Sequence, residues 1–215
     1  MIKGILWDND GVLVDTEHLF YAVNRDLLQE QGVALSEDDF FHWYLADNCG
    51  AWHILLQNGA KAEEISALRD ERNRRYTELL LQEGNLAIAG GAALLAQCAA
   101  RVPMGVVTSA SRDHFDIIHA RHDLRRHFQF VLTAEDYADS KPSPEPYLKG
   151  LERLGLAGAD CLVVEDSPRG LQAARAAGIE CIVLRNRLTS QCRFDGAYRV
   201  VNSMEELGSE IAALL

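Results

Sequence analysis

The chain has 215 residues, of which 48% are hydrophobic and 25% charged, so it is long enough for one large domain or for a core with a smaller insertion. Its formal net charge of -11 at pH 7 leaves no basic surplus to neutralise phosphates. We therefore expect no nucleic-acid partner and no binding to an acidic membrane surface.

No targeting or membrane signal is visible in the sequence. The first residues, MIKGILWDND, lack a basic segment followed by a long apolar region, and no run of 18 apolar residues occurs. The five cysteines are scattered and form no CxxC pair, which favours free thiols in a reducing compartment over disulfides or zinc ligands. We expect a cytoplasmic protein.

The first predicted element is a short buried strand, MIKGIL, which leads directly into the acidic stretch WDNDGVLVDTE. Asp8 and Asp10 lie one residue apart in this stretch, where their like charges repel each other. A bound cation would remove that repulsion, so the spacing indicates a charged ligand site.

Residues 17–84 then show helical periodicity and few β-branched runs. The remainder alternates helix signals with short apolar runs, and these predict strands over 104–109, 128–133, 161–166 and 181–186. The pattern predicts an α/β fold: a doubly wound, Rossmann-like parallel sheet core of residues 1–15 and 86–215, with a small α-helical domain of residues 16–85 inserted.

Polar side chains follow four of these predicted strands. In an open parallel sheet, ligands bind beyond the carboxyl ends of the strands. The residues expected at that edge are Asp8, Asp10, Thr108, Ser109, Lys141, Glu165 and Asp166. Their convergence is a stronger indication of a site than any one of them alone.

The chemistry of this set suits a magnesium-assisted reaction at phosphorus. Carboxylate ligands without Cys or His favour Mg²⁺ over zinc. A carboxylate such as Asp8 is ionised at neutral pH and attacks without a partner base, while a second carboxyl group gives and then takes a proton. Lys141 and the Ser109 hydroxyl are expected to hold the oxygens of the transferred group.

Four segments, DNDGVLVDTE, VVTSAS, DSKPSPEPY and VVEDSPRG, resemble in order the four motifs of the haloacid dehalogenase-like hydrolases, in the branch with a helical cap inserted after the first motif. The resemblance implies Asp8 as nucleophile, Asp10 as general acid/base and Lys141 as the charge-stabilising lysine. The phosphate-binding residues that it implies are Thr108, Ser109, Ala110 and Lys141. The magnesium ligands that it implies are Asp8, Asp10 through its backbone carbonyl, Asp166 and, beside it, Glu165.

Asp10 narrows the activity that the resemblance implies. True dehalogenases of the family lack this second aspartate and its ion pumps carry threonine there, so a phosphatase or a phosphomutase is implied. The expected function is magnesium-dependent hydrolysis of a small phosphate monoester, a sugar phosphate or similar metabolite, through an aspartyl-phosphate on Asp8. Two alternatives stay open: a sugar phosphomutase of the β-phosphoglucomutase type, and a phosphometabolite-binding protein without turnover. Related mutases carry a histidine four residues after Thr16, where this chain has Phe20.

Other positions carry separate expectations. Arg72 lies four residues before Tyr76, the spacing at which related caps place a substrate-binding basic residue, although a solvated helix face is the alternative. Asn9 stands where the family usually has a bulky apolar residue, and we expect it to alter packing without touching a catalytic group. The histidines expected at the surface are His114, His119, His122 and His127.

Overall fold

A computed structural model describes residues 1–215, which divide into two compact units. The first unit consists of Met1–Asp15 and Asn85–Leu215, and the second of Thr16–Gly84. The division differs from the sequence-based boundary at one residue, Asn85, which lies in the first unit.

The segments at which the chain leaves and rejoins the first unit pair with each other. The Asp15 N–H donates to the Leu86 carbonyl at 2.8 Å, and the Ile88 N–H donates to the Leu13 carbonyl at 3.0 Å. These bonds anchor the turn after the first strand, although the intervening 69 residues of Thr16–Gly84 belong to the other unit.

The first unit is built on a parallel sheet. Its strands are β1 (Gly4–Trp7), β2 (Met104–Val107), β3 (Phe130–Leu132), β4 (Cys161–Glu165), β5 (Glu180–Leu184) and β6 (Arg199–Val201). They lie in the order β3-β2-β1-β4-β5-β6, and every neighbouring pair is parallel. Strands β1, β2 and β4 are buried along their whole length, as in sheets covered on both faces. The predicted doubly wound α/β fold is confirmed.

The register aligns the ends of the central strands. Trp7 of β1 pairs with Val106 of β2 on one side and with Val164 of β4 on the other. The three strands therefore end at nearly the same level, and the residues that follow them meet at one edge of the sheet.

Helices cover the sheet. Those of the first unit are α5 (Gly91–Ala99), α6 (Arg112–His119), α7 (Glu145–Leu154), α8 (Pro168–Ala176) and α9 (Met204–Leu214). Helices α7 and α8 bury Tyr147 and Leu171 in a cluster with Leu6 and Val163 of the sheet. Helix α9 contacts β5 and β6 and buries Leu207.

Helix α8 begins directly after β4, as expected from its sequence signals. The Ser167 hydroxyl caps it by accepting a hydrogen bond from the Gly170 N–H at 3.1 Å, and Pro168 occupies the first helical position. Gly178, two residues after the last helical residue, has the positive φ of 74° that glycine adopts without strain.

The second unit is helical. Its helices are α1 (Glu17–Glu30), α2 (Glu37–Phe40), α3 (Trp52–Gln57) and α4 (Ala62–Gln82), with a π-helical segment at Phe41–Ala46. Phe20 makes edge contacts with the rings of Phe40, Tyr44 and Tyr76, so these aromatic side chains form part of the unit's core. None of the chain's helices combines the length and apolar composition that crossing a membrane requires.

Candidate active site

The turn after β1 holds Asp8 and Asp10 against the end of β4. The Asp8 N–H continues the sheet by donating to the Val164 carbonyl at 2.9 Å, and the chain then folds back so that the Leu13 N–H donates to the Asn9 carbonyl at 2.7 Å. Gly11 has a φ of 75°, and a Cβ atom built there would lie 2.1 Å from Asp166 Oδ2. Glycine is therefore required at position 11 by both its backbone angle and its neighbour.

A buried lysine joins three of the strands. Lys141, only 1% exposed, donates from Nζ to Asp8 Oδ1 at 2.9 Å, to Glu165 Oε1 at 2.7 Å and to the Val107 carbonyl at 2.9 Å. Its three donor sites thus match three acceptors. The sequence-based expectation placed Asp8, Lys141 and Glu165 at one edge, and the structure brings them into direct contact.

Glu165 is fully buried, and both of its oxygens accept hydrogen bonds. Oε1 accepts from Lys141 Nζ and from the Tyr147 hydroxyl, each at 2.7 Å. Oε2 accepts from the Ser167 hydroxyl at 3.0 Å and from the backbone N–H groups of Asp166 and Ser167 at 3.1 and 3.3 Å. These five donors compensate for burying the charge and fix the direction in which Glu165 holds Lys141.

Burial sets the ionisation of this cluster. Burial and the nearby Glu165 carboxylate raise the pKa of Asp8 to about 7, against the opposing effect of Lys141. Burial also acts to raise the pKa of Glu165, but Lys141 and the hydrogen-bond donors outweigh it and leave that pKa lowered. The two carboxylates raise the pKa of Lys141 in spite of burial, so the lysine is charged. The Lys141 ammonium group therefore keeps the pKa of Glu165 low, whereas it does not offset the rise in the pKa of Asp8.

Asp10 lies beside the end of β2. Its Oδ2 accepts from the Thr108 hydroxyl at 3.3 Å and from Asn9 Nδ2 at 3.2 Å. The expectation that Asn9 would touch no catalytic candidate is wrong, because its amide bonds directly to this carboxylate. The Asn9 side chain is fully buried, and its Oδ1 lies 2.7 Å from Nε2 of His119.

The residues after β2 present polar atoms to the same edge. The Thr108 hydroxyl accepts a hydrogen bond from the Ala110 N–H at 3.0 Å, which shapes the turn through Ser109. Ser109 Oγ is buried and makes no hydrogen bond of good geometry, although it lies close to the Tyr137 hydroxyl, which donates to the Thr108 carbonyl at 2.8 Å. An unpaired buried hydroxyl is costly unless a ligand bonds to it, so Ser109 is suited to binding an oxygen-rich group.

A group of carboxylates here is suited to holding a metal ion. One oxygen each from Asp8, Glu165 and Asp166 lie within 4.8 Å of one another. Asp166 Oδ2 accepts from Asn186 Nδ2 at 2.8 Å, and the Asn186 Oδ1 in turn accepts from the Thr189 N–H at 3.0 Å. Glu165 already accepts five hydrogen bonds, which occupy both of its oxygens.

Arg72 belongs to the second unit, on α4. Its guanidinium carbon lies 5.0 Å from the centre of the Phe20 ring and 5.7 Å from that of Trp52, and it donates to Asn73 Oδ1 at 2.8 Å. Burial lowers the pKa of Arg72. The side chain is half-buried over aromatic rings, which argues against a freely solvated helix face.

Four residues of the site had no sequence-based role: Asn9, His119, Tyr147 and Asn186. His119 was expected at the surface and is only 7% exposed, so that expectation is wrong. Tyr147 lies in the segment DSKPSPEPY, six residues after Lys141, and this closeness to Lys141 is the sequence feature that could have indicated its role. Asn186 ends the predicted strand of residues 181–186, a position that also faces the ligand edge of the sheet.

Comparisons with known proteins agree with this arrangement. Residues 5–184 match the haloacid dehalogenase-like hydrolase family. The chain is 32% identical to the plasmid-encoded protein CbbY of Cupriavidus necator, over 93% of this chain and 85% of that protein. It is 31% identical to hexitol phosphatase A of Escherichia coli, over 95% of this chain and 93% of that enzyme.

A solved structure extends the similarity over the whole fold. The crystal structure of a CbbY mutant from Rhodobacter sphaeroides in complex with xylulose-(1,5)bisphosphate has a TM-score of 0.82 and 26% sequence identity, with 97% of both chains covered. With a family match over most of its length, the chain is an enzyme of the haloacid dehalogenase-like hydrolase family.

Proposed function

We propose that the protein is a magnesium-dependent phosphatase that hydrolyses a small phosphate monoester of the sugar-phosphate class through an aspartyl-phosphate on Asp8. The observation that carries the proposal is the contact between the Asp8 carboxylate and the buried Lys141, next to Asp166 and in the same turn as Asp10. A nucleophile, a cation, an acid/base group and a metal-binding carboxylate are thus held at one edge of the sheet.

The residues fit a magnesium ion. The donor set consists of carboxylate oxygens without Cys or His, which suits a hard cation. We assign the ligands to Asp8, Asp166 and the backbone carbonyl of Asp10. We assign Glu165 the role of holding Lys141 in place, because its two oxygens already accept five hydrogen bonds, one of them from Lys141. When bound, the ion would neutralise the gathered carboxylates and the charge on the substrate's phosphate.

In the first step, an ionised Asp8 oxygen attacks phosphorus and the bond to the leaving oxygen breaks. A protonated Asp10 gives its proton to that oxygen, so the alcohol departs neutral. Lys141 Nζ and the Ser109 hydroxyl hold the oxygens of the group being transferred, where charge is redistributed. The unpaired Ser109 hydroxyl supports this role.

In the second step, the aspartyl-phosphate on Asp8 is cleaved by water. The Asp10 carboxylate takes a proton from the water as its oxygen attacks phosphorus, and inorganic phosphate leaves with Asp8 regenerated as a carboxylate. The Thr108 hydroxyl, which donates to Asp10 Oδ2 at 3.3 Å, orients Asp10 for both transfers.

The substrate class is supported by the relatives. One is named a hexitol phosphatase, and another was crystallised with xylulose-(1,5)bisphosphate. We propose that the helical unit of Thr16–Gly84 acts as a cap that selects the substrate and that Arg72 binds an anionic or hydroxyl-rich end of it. A half-buried guanidinium over aromatic rings supports anion binding.

Phosphate release from a panel of phosphorylated sugars, sugar bisphosphates and polyols tests the proposal, with Mg²⁺ or with a chelator. The wild type is expected to release phosphate only with Mg²⁺, whereas Asp8→Asn is expected to release none. Asp113→Asn, which removes an exposed aspartate on α6, is the matched control and is expected to behave like the wild type.

The same panel separates the alternatives. A mutase would isomerise a sugar monophosphate in the presence of its bisphosphate without releasing free phosphate. Phe20 weighs against this activity, since its ring is packed among Phe40, Tyr44 and Tyr76. A binding protein would bind panel members without turnover under any metal condition.

A further inference from the structure

A chain of hydrogen bonds runs from α6 to the carboxylate of Asp10. His119, the last residue of α6, lies with Nε2 2.7 Å from Asn9 Oδ1, and Asn9 Nδ2 donates to Asp10 Oδ2 at 3.2 Å. His119 and Asn9 are separated by 110 positions in the chain, yet both side chains are buried. The contact is therefore a specific feature of the folded protein.

The chemistry of the three groups fixes the direction of these bonds. An ionised Asp10 carboxylate can only accept, so the Asn9 amide must direct its NH₂ group towards it. The Asn9 oxygen then faces His119, which must carry a proton on Nε2 in order to donate. The carboxylate thereby determines both the orientation of the amide and the tautomer of the imidazole.

His119 is held in place by more than this bond. Its ring stacks on Phe115 with 4.1 Å between the ring centres. Burial lowers the pKa of His119 to about 4, so the ring is neutral near pH 7 and has one N–H to donate. Nδ1 is buried without a hydrogen-bond partner, so the bond to Asn9 is the hydrogen bond that orients the ring.

We propose that Asn9 and His119 are positioning residues that orient the Asp10 carboxyl group for proton transfer. The inference rests on the proposed function, in which Asp10 is the general acid/base. Asn9 and Thr108 both donate to Oδ2, so two bonds from different segments of the chain restrict rotation of the carboxyl group. His119 acts through Asn9 by preventing the amide from turning.

The test compares two substrates that differ in their need for an acid. An alkyl phosphate must have its leaving oxygen protonated, whereas p-nitrophenyl phosphate releases a stable anion. The ratio kcat/KM reports the steps up to departure of the leaving group. For Asn9→Leu, we expect kcat/KM to fall about 10- to 100-fold with the alkyl phosphate and less than about 3-fold with p-nitrophenyl phosphate.

Variants of His119 provide a second, independent comparison. His119→Leu removes the donor and is expected to reproduce the alkyl-selective loss, while His119→Gln retains an N–H donor and is expected to recover most of it. His127→Leu is the matched control, because it makes the same replacement at a histidine outside the hydrogen-bond chain. Thermal unfolding shows which variants fold, and if Asn9→Leu does not, the His119 series decides the question.

A measurement without substrate reports the pairing itself. The ¹⁵N shifts of His119 are expected to show the Nε2–H tautomer in the wild type and a mixture of tautomers in Asn9→Leu. Equal losses with both substrates, or no loss with either, would overturn the positioning role. A wild type that hydrolyses neither these two substrates nor any member of the sugar-phosphate panel would instead overturn the proposed function, together with the catalytic part of this inference.

Discussion

Lys141 Nζ and Asp8 Oδ1 lie 2.9 Å apart, buried, although the two residues are separated by 133 positions in the chain. The same ammonium group donates to Glu165 Oε1 at 2.7 Å, so one positive charge stands between two carboxylates. Because Glu165 has four further donors and Asp8 does not share them, the lysine links a fixed carboxylate to the carboxylate that we propose as the nucleophile.

Replacing this lysine is expected to destabilise the protein as well as inactivate it. Lys141→Met would leave two buried carboxylates facing each other without their shared cation, which costs about 3–5 kcal/mol of unfolding free energy. Lys149→Met removes a partly exposed lysine that pairs with Glu145 and donates to the Asp136 carbonyl, and it is expected to cost only about 1 kcal/mol because water can replace both partners. Urea denaturation measures the unfolding free energy of both variants. Equal losses of stability would contradict the role of Lys141 as the shared cation of Asp8 and Glu165.

Glu165 also depends on a glycine of α8. A Cβ atom at Gly170 would lie 1.9 Å from the Glu165 carboxyl carbon, and the five hydrogen bonds leave that carboxylate little room to move. Gly170→Ala is expected to lose about 1–3 kcal/mol of stability and most phosphatase activity, because Lys141 shifts with its partner.

Gly84→Ala is the control for this substitution, since a Cβ atom there meets nothing within 4 Å and its φ is not positive. Its stability is expected to stay the same or to rise slightly. Thermal unfolding and phosphate release measure both variants. A Gly170→Ala protein that matches Gly84→Ala would contradict the close packing around Glu165.

The raised pKa of Asp8 predicts a pH dependence of stability in the metal-free protein. Its folded-state value of about 7 lies above its ordinary value of 3.8, so the folded state binds more protons between these values. The stability from this group is therefore fully present below about pH 4 and is lost as the pH rises through about 7.

Asp8→Asn removes this titration. With a chelator present, the wild type is expected to lose up to about 3 kcal/mol relative to Asp8→Asn as the pH rises from about 4 to about 8. Adding Mg²⁺ at the upper pH should stabilise the wild type more than the variant. Urea denaturation across this range provides the comparison, and a stability difference that is flat with pH would contradict the raised pKa.

The fold could be predicted from the sequence where apolar runs are long. β4 and β5 follow directly from CLVVED and CIVLRN, and β4 was placed to within one residue of its end. β6, Arg199–Val201, was missed because an edge strand of this length with an exposed arginine has no distinctive apolar run. β3, Phe130–Leu132, is an edge strand of the same length, and it was predicted because the segment FQFVLT supplies the apolar run that β6 lacks.

Part of the candidate site could likewise be predicted from the sequence, and part could not. The approach of Asp8 to Glu165 could be anticipated, since the residues after parallel strands meet at one edge. The bond from His119 to Asn9 could not, because it depends on how α6 lies against the turn after β1. Tertiary packing of that kind leaves no local trace in the sequence.

Asn186 is expected to tune magnesium binding without taking part in catalysis. Its Nδ2 donates to Asp166 Oδ2 at 2.8 Å, and such supporting bonds fix the orientation of a ligand. Asn186→Leu is expected to raise the Mg²⁺ concentration for half-maximal activity about 10-fold, with kcat at saturating Mg²⁺ within about 3-fold of the wild type.

Asn202→Leu, at an exposed asparagine, serves as the control for the magnesium titration and is expected to leave it unchanged. If Asn186→Leu lowers kcat at saturating Mg²⁺ and leaves the metal requirement as it was, Asn186 does not act through Asp166.

Locating the covalent phosphate tests the proposed transfer through Asp8 most directly. Wild type and Asp10→Asn are mixed with substrate and Mg²⁺, quenched in acid within the first turnover, and digested for peptide mass spectrometry. A phosphate on Asp8, present in the wild type and longer-lived in Asp10→Asn, is the predicted result. Normal turnover by the wild type with Asp8 unmodified at every quench time, or with the phosphate on another side chain, would contradict phosphoryl transfer through Asp8.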